Sequence, residues 1–173
     1  SLDGFFRSLS DLANDPSNRI ARDQVRQNAA RLAQQVRGLD ATLGRITQDA
    51  LADFRSQVGA VNALAQQIAQ LNGQIQATGG PAHTSSDLMD ERDRLLDQLS
   101  LYGDVRVLDR GDGSVGVMLG DTLLVDGGSV QTLEVTSAGA GWGVGVSGGG
   151  AVRLASGSLA GLADLTQIWL PGA

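Results

Sequence analysis

Residues 84–100, TSSDLMDERDRLLDQLS, place Asp87, Asp90, Glu91, Asp93 and Asp97 within little more than three helical turns, beside Arg92 and Arg94. Carboxylates so close together could hold a divalent cation or work as an acid–base pair. The second use needs burial or apolar neighbours that push two carboxyl pKa values apart. Nothing around these acids supplies that. Leu88, Met89, Leu95, Leu96 and Leu99 recur at helical spacing on one side, which turns Asp90, Asp93, Arg94 and Asp97 mostly to the other. The expectation is a solvated helix face, with Asp90 and Arg94 as an attractive i,i+4 pair and Asp93 and Asp97 as a repulsive one, each worth about 0.3 kcal/mol. Asp87 and Asp90 lie in the first turn, where the helix dipole favours negative charge. Arg92 and Asp93 are the candidates for a contact between helices.

The other chemically suggestive stretches reduce to turns. Asp109-Arg110-Gly111-Asp112-Gly113 contains an integrin-type Arg-Gly-Asp tripeptide and could suggest a calcium loop. An EF-type loop needs carboxylates at alternating positions and a closing Glu, which are absent. Gly139-Ala140-Gly141-Trp142-Gly143 and Gly148-Gly149-Gly150 could suggest a phosphate cradle, but short strands rather than a helix follow them and no Gly-Lys-Ser/Thr is present. His83 is the only histidine, in a Gly/Pro/Ser turn, so neither a His-dependent hydrolase nor a multi-His metal site can be assembled. The absence of cysteine excludes disulfides, Cys-ligated zinc and thiol catalysis, and no His-Glu-x-x-His stands anywhere. The sequence therefore assigns no catalytic residue, no metal ligand and no cofactor, and an enzyme is not expected.

These motifs sit in a chain of 173 residues that is 42% hydrophobic but only 3% aromatic, so its core is built mainly from Leu, Val, Ile and Ala. A net charge of -6 with no basic block argues against a nucleic-acid or anionic-membrane partner, because both require a basic surface. No run approaches the roughly 18 apolar residues of a membrane span. SLDGFFRSLSDL lacks the n-region and h-region of a signal peptide. Beginning in mid-pattern at Ser1, the chain reads as an internal fragment of something longer.

Two compositions divide it. Ile20, Val25, Ala29, Leu32, Val36, Leu39, Leu43, Ile46, Ala50, Phe54, Val58, Val61, Leu64, Ile68, Leu71 and Ile75 recur, after the first step, at spacings of three or four. That is a narrow helical stripe close to the coiled-coil period, with a stutter around Ala50–Val58. One helix, or two collinear ones, would extend roughly 85 Å at 1.5 Å per residue. Ahead of it Leu2, Phe5, Phe6, Leu9 and Leu12 form a short amphipathic helix, broken at Asn14-Asp15-Pro16-Ser17, with Ser17 or Asn18 able to cap the next. Gly79-Gly80-Pro81 turns the chain, and Ser86 or Asp87 starts a third helix.

From Asp104 the period becomes two. VRVLDRGDGSVGVML reads as a hairpin, with Val105 and Val107 facing Val115 and Val117, and TLLV, QTLEVTS, WGVGVS and AVRL follow as short strands between glycine turns. SLAGLADLTQIWL then returns to helical spacing and stops at Pro171. The fold class expected is α+β: an elongated, mainly α antiparallel bundle with long helices plus a small glycine-rich antiparallel β unit. The domains expected are a helical rod over 1–103, a β-rich unit over 104–157, and a returning helix over 158–173 that packs on the rod. Leu2–Leu12, Leu88–Leu99 and Leu159–Leu170 packing along the stripe would leave this fragment a monomer.

The pattern resembles the family of flagellar hook-associated protein 1 (FlgK). The resemblance begins at LDGFFRSLSDLANDPSNRIARDQV, through Leu2, Phe5, Phe6, Leu9, Leu12, Pro16 and Arg22, and continues through VNALAQQIAQLNGQI. It is strongest at SDLMDERDRLLDQLS, which is similar to the family's Asn/Ser-Asp-Leu-x-Asp-x-Arg-Asp-x-Leu-Leu-Asp-x-Leu helix. That identifies Asp87, Leu88, Asp90, Arg92, Asp93, Leu95, Leu96, Asp97 and Leu99 as signature positions and candidate subunit contacts. Gly157-Ser158-Leu159-Ala160-Gly161-Leu162 and Leu170-Pro171 keep the family spacing, but Thr166-Gln167 replaces the usual Arg-Asp. The resemblance implies an extracellular structural subunit of the bacterial flagellum, at the hook–filament junction, exported by flagellar type III secretion without a cleaved signal. Its implied partners are the hook protein, the second junction protein, copies of itself and an export chaperone bound through a terminus missing here. No nucleic acid, membrane or cofactor is implied. The alternative expectation is an adhesin-like stalk with a coiled-coil rod and a β-rich tip.

Overall fold

A computed structural model describes residues 1–79, 86–138 and 141–169. Gly80 and Pro81 of the expected turn, His83, Gly139-Ala140 and Leu170-Pro171 lie outside the described residues. The chain divides into two compact units, Ser1–Ile46 and Thr47–Ala173.

The first unit holds α1 (Leu2–Asn14) and the beginning of α2 (Arg19–Ala77), a single helix of 59 residues. Asp15 ends α1 by accepting from the amide and hydroxyl of Ser17 at 3.2 and 2.7 Å. Asn18 rather than Ser17 caps α2: its Oδ1 accepts from the N–H groups of Ile20 and Ala21 at 3.0 and 3.2 Å, satisfying two of the donors that every helix start leaves open. Arg22 ties the break down by donating to the Pro16 carbonyl at 2.8 Å. Asn28 donates to the Gly4 carbonyl at 3.2 Å, joining the two helices. Val25, Ala29 and Leu32 are half-buried, but every residue from Ala33 to Ile46 is exposed.

Here the expected packing along the whole stripe fails. Val36, Leu39, Leu43 and Ile46 are 57%, 65%, 54% and 47% exposed. The reason is length: a helix of 13 residues spans about 20 Å, no more of α2 than Arg19–Leu32. Periodicity sets which face is apolar; it does not supply something to cover it.

In the second unit the rest of α2 runs beside α3 (Ser86–Ser100). Arg92 lies by Asn72, while Gln98 and Leu101 lie by Ala60 and Leu64, so the two helices are antiparallel. The β residues form two sheets rather than one: β1 (Val105–Asp109), β2 (Val115–Leu119), β3 (Thr122–Asp126) and β4 (Ser129–Val130) in that order, then β5 (Leu133–Ala138), β6 (Gly141–Val146) and β7 (Ala151–Val152). All neighbouring strands are antiparallel. The chain closes with α4 (Gly157–Trp169). The architecture is α+β, a long helix with small antiparallel sheets, as the change of period predicts.

In the first hairpin Val107 opposes Val117 as expected, but Val105 opposes Leu119, and Val115 opposes Asp109. The turn takes five residues, Arg110–Ser114, with Gly111 and Gly113 at φ of 76 and 87, conformations that side chains resist. Val115, Val117 and Leu119 then point inward together, as alternation requires.

One core unites this unit. Phe54, Val58, Val61, Leu64 and Ile68 of α2 meet Leu95 and Leu99 of α3, the inward residues of β2 and β3, then Leu133, Val144, Val152 and Leu159. The small Ala65 and Ala69 broaden the α2 stripe toward the sheets, giving a wide enough apolar face to carry strands as well as a helix. At the corner before α4, Asp121 and Asp104 accept from the amides of Arg153 and Ala155, each at 2.9 Å. Ser158 and Leu159 donate to the carbonyls of Leu101 and Tyr102, each at 3.1 Å.

Candidate functional site

The acids of α3 point where the leucine spacing sends them. Asp87, Asp90, Asp93 and Asp97 are exposed; Leu95 and Leu99 are buried; Leu88 is half-buried, as is Leu96 packed against the core. Arg94 is paired differently from the expectation. It contacts Glu91 with both carboxylate oxygens at 2.6 Å, an i,i+3 pair, rather than Asp90. The i,i+3 and i,i+4 positions are both within reach of an Arg on a helix surface, so spacing alone does not choose between them. Among the described residues, no three His, Asp or Glu side chains gather where they could hold a metal ion.

Arg92 is the member of the motif that turns inward. Its side chain is 11% exposed. Nη1 donates to the Gly113 carbonyl at 2.8 Å and approaches Asn72 Oδ1 at 3.5 Å, so α3 is tied to both the hairpin tip and α2. Asp93 Oδ1 stands 3.9 Å from Nε, too far for a hydrogen bond, and Nε is buried without one.

Arg92 leads to a residue that the sequence reading leaves unassigned. Asn72 is fully buried in the middle of α2. Its Nδ2 donates to the carbonyls of Val115 and Gly127 at 2.9 and 2.8 Å, and its Oδ1 accepts from the Val115 amide at 3.1 Å. With Arg92, both donors and both lone pairs of the side-chain amide have partners. The amide stands in for a strand: it takes the N–H and C=O of the first residue of β2, beside the point where β3 turns away at Gly127.

Asn62 repeats the device ten residues earlier. Its Oδ1 accepts from the Leu133 amide at 2.8 Å and its Nδ2 donates to the Leu133 carbonyl at 2.9 Å, again both groups of a strand's first residue. The signal that could have revealed Asn72 is its phase. It follows Ile68 by four and precedes Ile75 by three, a polar residue on the apolar stripe, where it must find partners or destabilise the core.

The Arg-Gly-Asp tripeptide is likewise held by its own hairpin. Arg110 forms an ion pair with Asp126 across the sheet. Asp112 accepts from the hydroxyl and amide of Ser114 at 2.6 and 2.9 Å and from Gln76 at 2.7 Å. The Ser114 hydroxyl first, then its amide and Gln76, hold the Asp112 carboxyl below the usual carboxylate range. Gly148–Gly150 forms the β6–β7 turn, closed by the Val146 amide on the Gly150 carbonyl at 3.0 Å, and is followed by β7 rather than a helix.

Shallow clefts open among the described residues of this unit. One, about 320 Å³, lies between α2 and α3 and is lined by Ala60, Ala63, Leu64, Gln98, Leu101 and Tyr102. Another, about 330 Å³, lies between the second sheet and α4 and includes Thr136, Ser137, Arg153 and Asp164. Asp164 is exposed, and the lining of the second cleft holds no histidine or lysine that could activate the hydroxyl of Ser137 or Thr136. Among the described residues, no helix is long and apolar enough to cross a membrane.

The polar groups described above tie helices, strands and turns to one another. Hook-associated protein 1 of Salmonella typhimurium is 32% identical over 136 residues, 77% of this chain and 25% of that protein. The Bacillus subtilis protein of the same name is 29% identical over 106 residues, 61% of this chain and 21% of that protein. The chain therefore spans a quarter or less of the curated relatives it matches. The solved structure of the flagellar hook junction protein FlgK from Burkholderia pseudomallei superposes with a TM-score of 0.80 at 27% identity, over 92% of this chain and 31% of that one. The family model for the helical domain of flagellar hook-associated protein FlgK matches residues 1–173. The chain belongs to the family of the FlgK helical domain.

Proposed function

We infer that this chain is the helical domain of a structural, non-enzymatic subunit of the bacterial flagellum, placed at the junction between hook and filament. The observation that carries the reading is the match to the FlgK helical domain over all 173 residues. It is supported by ionised and amide side chains that are consumed in holding helices to sheets, as a load-transmitting subunit requires. The matched relatives are flagellar, which favours the junction subunit over an adhesin-like stalk.

On this reading the partners are other axial proteins of the flagellum: the hook protein, the second junction protein and further copies of the subunit. Export through the flagellar type III apparatus, with a chaperone on a terminal segment, belongs to the same proposal. Within the signature helix Leu95 and Leu99 serve the chain's own core, so a neighbouring subunit would meet the exposed carboxylates of Asp87, Asp90, Asp93 and Asp97. Immunogold electron microscopy of flagella from the source bacterium, with antibody raised against this chain, tests the assignment. Labelling confined to the hook–filament boundary is expected, and labelling spread along the filament or over the cell body would overturn it.

A further inference from the structure

The two asparagines of α2 do the same thing to two different sheets, and they do it with unequal strength. Asn72 holds β2, in the four-stranded sheet, through a fully buried amide whose donors and acceptors are all occupied. Asn62 is half-buried and holds β5, in the three-stranded sheet, through two bonds only. One Nδ2 proton and one Oδ1 lone pair of Asn62 are left over for water, so water can compete at that site.

An independent difference points the same way. Among the described residues, the four-stranded sheet contributes Val115, Val117, Leu119, Leu124 and Val125 as buried core side chains, whereas the three-stranded sheet contributes Leu133, Val144 and Val152, with Val135, Trp142 and Val146 only partly buried against them. Lifting the second sheet therefore takes fewer buried side chains out of the core, and the hydrophobic contribution of each scales with the area it buries. Its middle strand, GWGVGV, has glycine at alternate positions, which supply no side chains to pack.

We propose that Asn62 and Asn72 are two separate latches, and that the β5–β7 sheet is released from α2 at the Asn62 latch while β1–β4 stays fastened at Asn72. The opening is local. α4 packs on β6, and its first turn is pinned separately, by Ser158 and Leu159, to the carbonyls of Leu101 and Tyr102 just after α3. The molecule then contains a graded element: a sheet that opens and closes on a helical frame that does not.

Amide hydrogen exchange on the 173-residue protein, followed over a series of low urea concentrations, tests this. In the unmutated protein the amides of Leu133–Ala138 and Gly141–Val146 are expected to exchange at least about tenfold faster than those of Val115–Val125, with a weaker urea dependence than global unfolding shows. Asn62→Ala is expected to raise exchange of β5–β7 by about another tenfold, the effect of losing a pair of hydrogen bonds, and to leave β1–β4 within about twofold. Equal rates and equal urea slopes for the two sheets in the unmutated protein would overturn the proposal, whether or not the variant folds. An Asn62→Ala effect that is absent from β5–β7, or the same in both sheets, would overturn it as well.

Discussion

Asn72→Leu is expected to destabilise the protein by about 3–5 kcal/mol. Leucine has a similar volume and belongs on the apolar stripe, so local helix propensity and packing both favour the change. The loss comes from what remains behind. The Val115 amide, the Val115 and Gly127 carbonyls and one side of the Arg92 guanidinium would be left in a dry site with their partner gone. Each buried group without a partner costs about 1–3 kcal/mol, and no water has an obvious path to a fully buried position. Because a domain of this size has about 5–15 kcal/mol in all, the variant should unfold at markedly lower urea. Gln74→Leu, two residues on and on the exposed face, is the control and should move stability by no more than about 0.5 kcal/mol. If the two substitutions shift the urea midpoint equally, Asn72 is not a clamp.

The second large effect is expected at Gly157, where α4 begins. Its φ is 89, and a Cβ built there would run into the Tyr102–Gly103 peptide, which is backbone and cannot swing aside. Gly157→Ala therefore combines a left-handed conformation, about 1–2 kcal/mol for a residue with a Cβ, with displacement of the α3–β1 corner. That displacement strains the bonds from Ser158 and Leu159 to the Leu101 and Tyr102 carbonyls and moves Leu159, which is fully buried. A total of about 3–4 kcal/mol is expected. Gly161→Ala, four residues on in the interior of α4 with open space around the position, should have the opposite sign and stabilise by up to about 1 kcal/mol. Thermal unfolding of the two variants side by side reads the difference, and a Gly157→Ala protein as stable as the unmutated one would refute the crowded corner.

What the sequence reveals, and what it hides, follows from the range of the interactions involved. The 3.6-residue recurrence from Val25 to Ile75 is a local property, and α2 is there as one helix. The same recurrence cannot distinguish Leu43, which is 54% exposed, from Ile68, which is fully buried, because that difference depends on partners many residues away. The alternation after Asp104 marks most strands but misses β4, whose two residues are too short to show a period. It also leaves the Val105 register open, because a turn of Gly111-Asp112-Gly113 alone and the five-residue turn that forms place different residues opposite one another.

The α3 acids were legible as a wet face from the leucines alone. Arg92 was legible as a candidate contact between helices, and it does reach Asn72 of α2; its stronger bond, to the Gly113 carbonyl at the hairpin tip, was not. Most instructive is VNALAQQIAQLNGQI. It carries part of the family resemblance and contains both Asn62 and Asn72, yet each pairs with a backbone amide 71 or 43 residues further along. Nothing in a window of fifteen residues can show that.

The proposed role requires that this chain can serve as the helical domain of a junction subunit. The direct measurement is to replace the matching segment of Salmonella typhimurium hook-associated protein 1 with this chain and express the chimera in a strain that lacks the native protein. Filament attachment would be scored by electron microscopy, with secretion of the chimera and protease resistance of the exchanged segment measured in parallel. The account predicts that filaments attach to hooks. A chimera that is secreted and folded, yet leaves hooks bare, would contradict it.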